Sequence, residues 1–102
     1  MVKKVTSYQF SNRFKKQYRL LPQEIQVAFD AKLELFLKNM QHPSLRVKRI
    51  QGTQYRWEGS ITMKYRFTFE MPETHVIFRT IGTHDFLNRS AILGKGVNDQ
   101  WS

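Results

Sequence analysis

The sequence predicts an α+β fold: an N-terminal strand, an αα-hairpin, and a three- to four-stranded, mainly antiparallel sheet with the helices on one face. Three observations carry that prediction. Apolar residues recur at helical spacing between residues 14 and 40, with one interruption at Pro22. From residue 45 the pattern changes to alternation, punctuated at Gly52, Gly59 and Pro72. The connections between these later runs are short, which favours antiparallel pairing of neighbours and leaves the helix pair to cover one side.

Each element has its own signal. Val5, Tyr8 and Phe10 lie among Lys and Thr and predict a strand over Val2 to Phe10. Ser11 is placed to cap a helix that presents Phe14, Tyr18 and Leu21 on one side. Pro22 suits the first position of a second helix, whose apolar stripe is Ile25, Phe29, Leu33, Phe36, Leu37 and Met40. These aromatics and Met40 read as core. His42-Pro43 ends the helix, because the residue before proline is pushed out of the α region. Leu45 to Ile50 alternates as a strand, and a Gly52 turn leads into another that begins at Tyr55. Gly59-Ser60 reads as a bend, bulge or turn. In the next strand Ile61, Met63, Tyr65, Phe67 and Phe69 alternate with Thr62, Lys64, Arg66, Thr68 and Glu70. Met71-Pro72-Glu73-Thr74 is turn chemistry, and His75 to Ile81 forms the last strand, an apolar run holding a lone Arg79. Residues 1–90 are expected to form one domain, and 91–102 a loosely attached tail.

Composition narrows the function. The 102 residues contain no cysteine, which removes disulfides and thiolate metal sites, and the three histidines lack ligand spacing, so no metal or other cofactor is expected. No window is apolar enough to span a membrane, and no signal core opens the chain, so a cytoplasmic protein is the expectation. The net charge is +9, with six lysines and arginines and no acid in residues 1–22. An excess of that size in a small protein favours a polyanionic partner through counterion release.

Several features together resemble the RelE/ParE superfamily of type II toxin–antitoxin toxins. They are the opening strand, the helical hairpin, HPSLRVKRIQG, the W-E-x-x-I-x-x-x-Y-R-x-x-F pattern at Trp57–Phe69, and IGTHD at Ile81–Asp85. The likeness spans about residues 1–89. It implies a toxin neutralised by a cognate antitoxin that wraps it. RelE-like members are mRNA interferases, endoribonucleases that cut the codon in the ribosomal A site and so inhibit translation. ParE-like members poison DNA gyrase on the same fold, and an inactive antitoxin- or nucleic-acid-binding module is a third possibility. The residues favour the nuclease, with ribosome and mRNA as its partners.

Cleavage at a 2′-OH needs a base, cations for the charge building on the phosphate, and an acid for the leaving oxygen. The resemblance places His84 at the family's strand-end histidine, as general acid or proton shuttle, and Arg66 at its Tyr-Arg arginine, gripping the scissile phosphate. Arg79 and Lys48 are candidates for the same pocket. Arg46, Arg49, Arg56, Lys64 and Arg89 are candidates to hold flanking RNA. Many nuclease members have an aromatic where this chain has Leu87 and Asn88, and some have a glutamate where it has Ser44, which leaves Lys48 or Glu58 to serve as base.

Overall fold

A computed structural model describes residues 4–53, 56–85 and 87. The order is β1 (Ser7–Phe10), α1 (Asn12–Arg19), α2 (Gln23–Lys38), a 3₁₀ turn (Pro43–Leu45), β2 (Lys48–Arg49), β3 (Arg56–Ser60), β4 (Tyr65–Glu70) and β5 (His75–Thr83). The strands form one five-stranded sheet ordered β1-β5-β4-β3-β2. Its later strands are antiparallel as expected, while β1 lies parallel to β5, with Ser7 opposite His75 and Phe10 opposite Phe78. The helical hairpin carries the chain from β1 at one edge to β2 at the other, and β5 enters last between β1 and β4, parallel to the first and antiparallel to the second. Side chains reinforce it: the Thr6 and Thr74 hydroxyls lie 2.8 Å apart, and the His75 ring sits between Ser7 Oγ at 2.6 Å and Gln9 Oε1 at 3.2 Å.

Helix α1 starts where expected, with Ser11 Oγ accepting from the Phe14 N–H at 3.0 Å. Pro22 stands one position earlier than predicted: it is the N-cap of α2, and its carbonyl accepts from Ile25 and Gln26. Phe14, Ile25, Phe29, Phe36 and Met40 of the hairpin are buried against Phe67, Phe69, Val76, Phe78 and Ile81 of the sheet. The rings meet mostly edge-on or tilted, as Phe36 does on Phe69 at 5.0 Å and 81°, the arrangement that aromatic quadrupoles favour.

Three strand expectations are corrected. Leu45 to Ile50 holds only a two-residue strand, because the 3₁₀ turn takes Pro43–Leu45 and Arg46 follows in the left-handed region at φ 48°. Gly59 lies inside β3 rather than at a bend. A Cβ there would collide with the Phe67 ring, so the absent side chain is what lets that ring lie over the strand. Ile61 to Lys64 turn between β3 and β4, leaving Ile61 buried and Met63 86% exposed. The alternation proper starts at Tyr65. The bulge lies farther along, between β4 and β5: Thr68 faces Thr80 while Phe69 faces Phe78, so Arg79 is the extra residue. That accounts for a lone arginine in an apolar strand, and for Phe78 and Ile81 both being buried at odd spacing. Tyr55, Phe86, Asn88, Arg89 and the 91–102 tail lie outside the described residues. Among those described, no helix is long and apolar enough to cross a membrane, and no group of three His, Asp or Glu is placed to hold a metal.

Candidate active site on the open face of the sheet

Strand alternation decides which side chains leave the helix-covered side. On β3, Trp57 and Gly59 pair with Phe69 and Phe67 of the core, so Arg56, Glu58 and Ser60 face the other way. Their partners across β4 are Glu70, Thr68 and Arg66, and the next partners on β5 are Ile77, Thr80 and Gly82. Lys48 of β2 stands directly opposite Glu58. The face opposite the helices therefore carries cations and carboxylates in registered rows.

Glu58 is the centre of the first group. One oxygen lies 3.6 Å from Lys48 Nζ and the other 3.6 Å from His84 Nδ1. The Glu58 side chain is 13% exposed, His84 39% and Lys48 70%, so a half-sheltered carboxylate sits below two groups that reach solvent. His84 is set there by its backbone: its N–H donates to the Lys64 carbonyl at 2.7 Å, which ties the end of β5 to the β3–β4 turn. The Nδ1 atom is buried against the protein. A carboxylate with a lysine on one side and an imidazole on the other is equipped to move protons beside an anion.

A second group surrounds Glu70, which is buried. Arg79 Nη2 lies 2.8 Å from one of its oxygens and Arg56 Nε 3.0 Å from the other. Between the two groups, the Thr68 and Thr80 hydroxyls lie 2.5 Å apart. Arg66, opposite Gly82, turns its Nη1 onto the turn, where the carbonyls of Thr62, Met63 and Tyr65 lie at 2.5, 2.7 and 3.2 Å. It braces the loop whose Lys64 carbonyl holds His84.

The candidate residues thus divide. Lys48 and His84 come together around Glu58. Arg66 and Lys64 join them through the turn, with Lys64 exposed in the turn rather than on a strand face. Arg79 and Arg56 share a different carboxylate, Glu70. Arg49 pairs with Trp57 across β2–β3 and so points to the helix-covered side, and Arg46 lines a cavity on that side with Trp57. Arg89 lies outside the described residues. In the sequence Glu58 stood only as an alternative to Lys48 for the base. What would have promoted it is register, since only pairing shows Lys48 directly across the strand from it.

Neither a family model nor a curated protein matches this sequence. Solved structures do match its fold. The RelE toxin in a RelB–RelE complex from Methanococcus jannaschii superposes at a TM-score of 0.64 with 18% identity, over 78% of this chain and 93% of that one. YafQ in the Escherichia coli DinJ–YafQ complex superposes at 0.68 with 14% identity, over 78% and 94%. The isolated E. coli RelE toxin gives 0.60 at 14% identity, over 84% and 96%. The chain has the RelE fold. Strand, helical hairpin and antiparallel strands are the RelE order, and here the RelE fold carries Lys48, Glu58 and His84 on the sheet face opposite the helices.

Proposed function

We propose that this protein is a toxin of a type II toxin–antitoxin system and acts as a ribosome-dependent endoribonuclease on mRNA in the A site. The observation that carries the reading is the convergence of Lys48 and His84 on Glu58 at one end of the open face. In the reaction, Glu58 takes the 2′-OH proton, the 2′-oxygen bonds to phosphorus, and the bond from phosphorus to the 5′-oxygen breaks. Protonated His84 delivers the proton that the leaving 5′-oxygen needs. The products are a 2′,3′-cyclic phosphate and a 5′-OH. Because Nδ1 is buried beside Glu58, the proton exchanged with RNA travels through Nε2. Lys48, the most exposed of the three, meets the negative charge that builds on the phosphate. Arg66 holds the turn that holds His84. The solved RelE and YafQ relatives in fold are found with RelB and DinJ. An antitoxin that covers the basic face is the corresponding partner here.

Primer extension on a defined mRNA, with and without programmed ribosomes, tests the reading. Cuts at A-site codons that require ribosomes and disappear in Glu58→Gln and His84→Ala are the expected result. Cuts on naked RNA retain the nuclease and discard the ribosome as an obligatory partner. No cuts under any condition reject it in favour of a gyrase-directed toxin, for which a supercoiling assay is the next step.

A further inference from the structure

A cavity of about 370 Å³ opens on the helix-covered side of β3, behind the Glu58 group. Trp57 forms one wall, Met40 and Met71 supply thioethers, and His42 and Arg46 provide polar groups. Three features suit it to a specific kind of guest. Trp57 offers a large π system, with the polarizable sulfurs of Met40 and Met71 lining the same cavity. His42 has a fixed tautomer: the Ser44 N–H donates to its Nδ1 at 3.2 Å, so the proton sits on Nε2 and the ring can donate to a guest. Arg46 supplies a cation from a backbone at φ 48°, the one non-glycine residue at positive φ among those described. Left-handed backbone at a non-glycine residue is strained, and such strain gathers at binding sites. The volume falls in the range of small-ligand pockets, about 300–1,000 Å³.

An aromatic wall, a fixed N–H donor and an exposed cation together match a planar heterocycle joined to an anion. We infer that this cavity binds a nucleotide, with the base against Trp57, His42 Nε2–H donating to a ring or carbonyl acceptor, and the phosphate on Arg46. Base-on-aromatic stacking tolerates any base, so the site selects for a nucleotide rather than for a sequence. Arg46, Lys48 and Arg49 are all exposed and lie within four residues along the β2 edge. A strand of RNA can follow that edge from the open face to the cavity, and a free mononucleotide presents the same chemistry. The proposal stands apart from the cleavage reading, because binding is measured without catalysis.

The test follows the indole N–H resonances of the folded protein as two probes are added: AMP, and a 2′-O-methyl hexaribonucleotide that cannot be cut. The expected result is a saturable shift of the Trp57 resonance. Arg46→Gly is the informative variant, since glycine keeps the left-handed backbone without strain and removes only the cation. It should weaken binding about tenfold, and Arg46→Lys should restore most of it. Trp57→Leu should abolish binding, but Trp57 also packs on the core, so the Arg46 pair carries the decision. A shift with both probes identifies an RNA-binding subsite, and a shift with AMP alone identifies a free-nucleotide site. Either supports the proposal. No shift with either probe, or affinities unchanged by Arg46→Gly, overturns it. His84→Ala should bind as the parent does, so loss of cutting and loss of this site are told apart.

Discussion

The two sides of the sheet are built on opposite principles. Against the helices, Phe36, Phe67, Phe69 and Phe78 are almost wholly buried and touch one another. On the open side the ordered groups are two carboxylates, each between two basic side chains: Glu58 between Lys48 and His84, and Glu70 between Arg56 and Arg79. The first side holds its shape by close packing, where loss of volume is costly. The second holds residues in place by pairing, where loss of one partner changes chemistry more than stability.

Substitutions on the two sides should separate these roles. The largest effect on stability belongs to Phe36→Ala or Phe78→Ala, about 3–5 kcal/mol in denaturant unfolding. A loss under 1 kcal/mol would show that the aromatic layer is not the core. Next comes the open face. Glu58→Gln or His84→Ala should slow RNA cutting by about 10²–10⁴-fold while unfolding midpoints stay near the parent's, the size expected for losing a general base or acid. Equal losses of activity and stability would erase the distinction between the faces. Gly59→Ala sits at the boundary: its new Cβ meets the buried Phe67 ring, so a cost of about 1–3 kcal/mol is expected by thermal unfolding.

The smallest effect concerns the hairpin's outer rim. Tyr18 donates to Asp30 Oδ1 at 2.8 Å, and burial first, then that hydrogen bond and the Asp30 charge, raise its pKa above 10.0. A group whose folded pKa is raised contributes stability that is complete below the unfolded value and fades as pH climbs through the folded one. The parent should therefore lose stability above about pH 10 relative to Tyr18→Phe, while at neutral pH the variant should be weaker by about 0.5–1.5 kcal/mol. Parallel pH curves for the two proteins would remove Tyr18 as the cause.

The same division explains what was legible in the sequence. Helices could be read because Phe14, Ile25, Phe29 and Phe36 keep a helical period over a long window, and Ser11 marks a start by its hydroxyl. The short strands were harder. Ile61 and Met63 continue the alternation of β4 on paper, yet the chain turns there, and the braces of that turn are Arg66 and Thr62, which no period reveals. The two-residue β2 was overread because Arg46 takes a backbone conformation that its side chain does not announce. At the site, His84 and Lys48 could be named from their positions in the chain. The carboxylate they share could not be ranked, because Glu58 and Glu70 look alike until strand register assigns each its cations. Arg79 needed the bulge before it could be placed at all.

The parallel join of β1 to β5 has a kinetic consequence. Ser7 and His75, partners in that ladder, are 68 residues apart, and β5 is the strand on which both β1 and β4 pair. The sheet therefore cannot close until the chain through Thr83 has been synthesised and released, and pairing at such separation is slow compared with helix formation. His84 follows β5 directly, so the Glu58 group is assembled in the same late step. While it is being translated, the nascent chain therefore has no assembled copy of the Glu58 group. A partner present before that closure has time to meet the chain first.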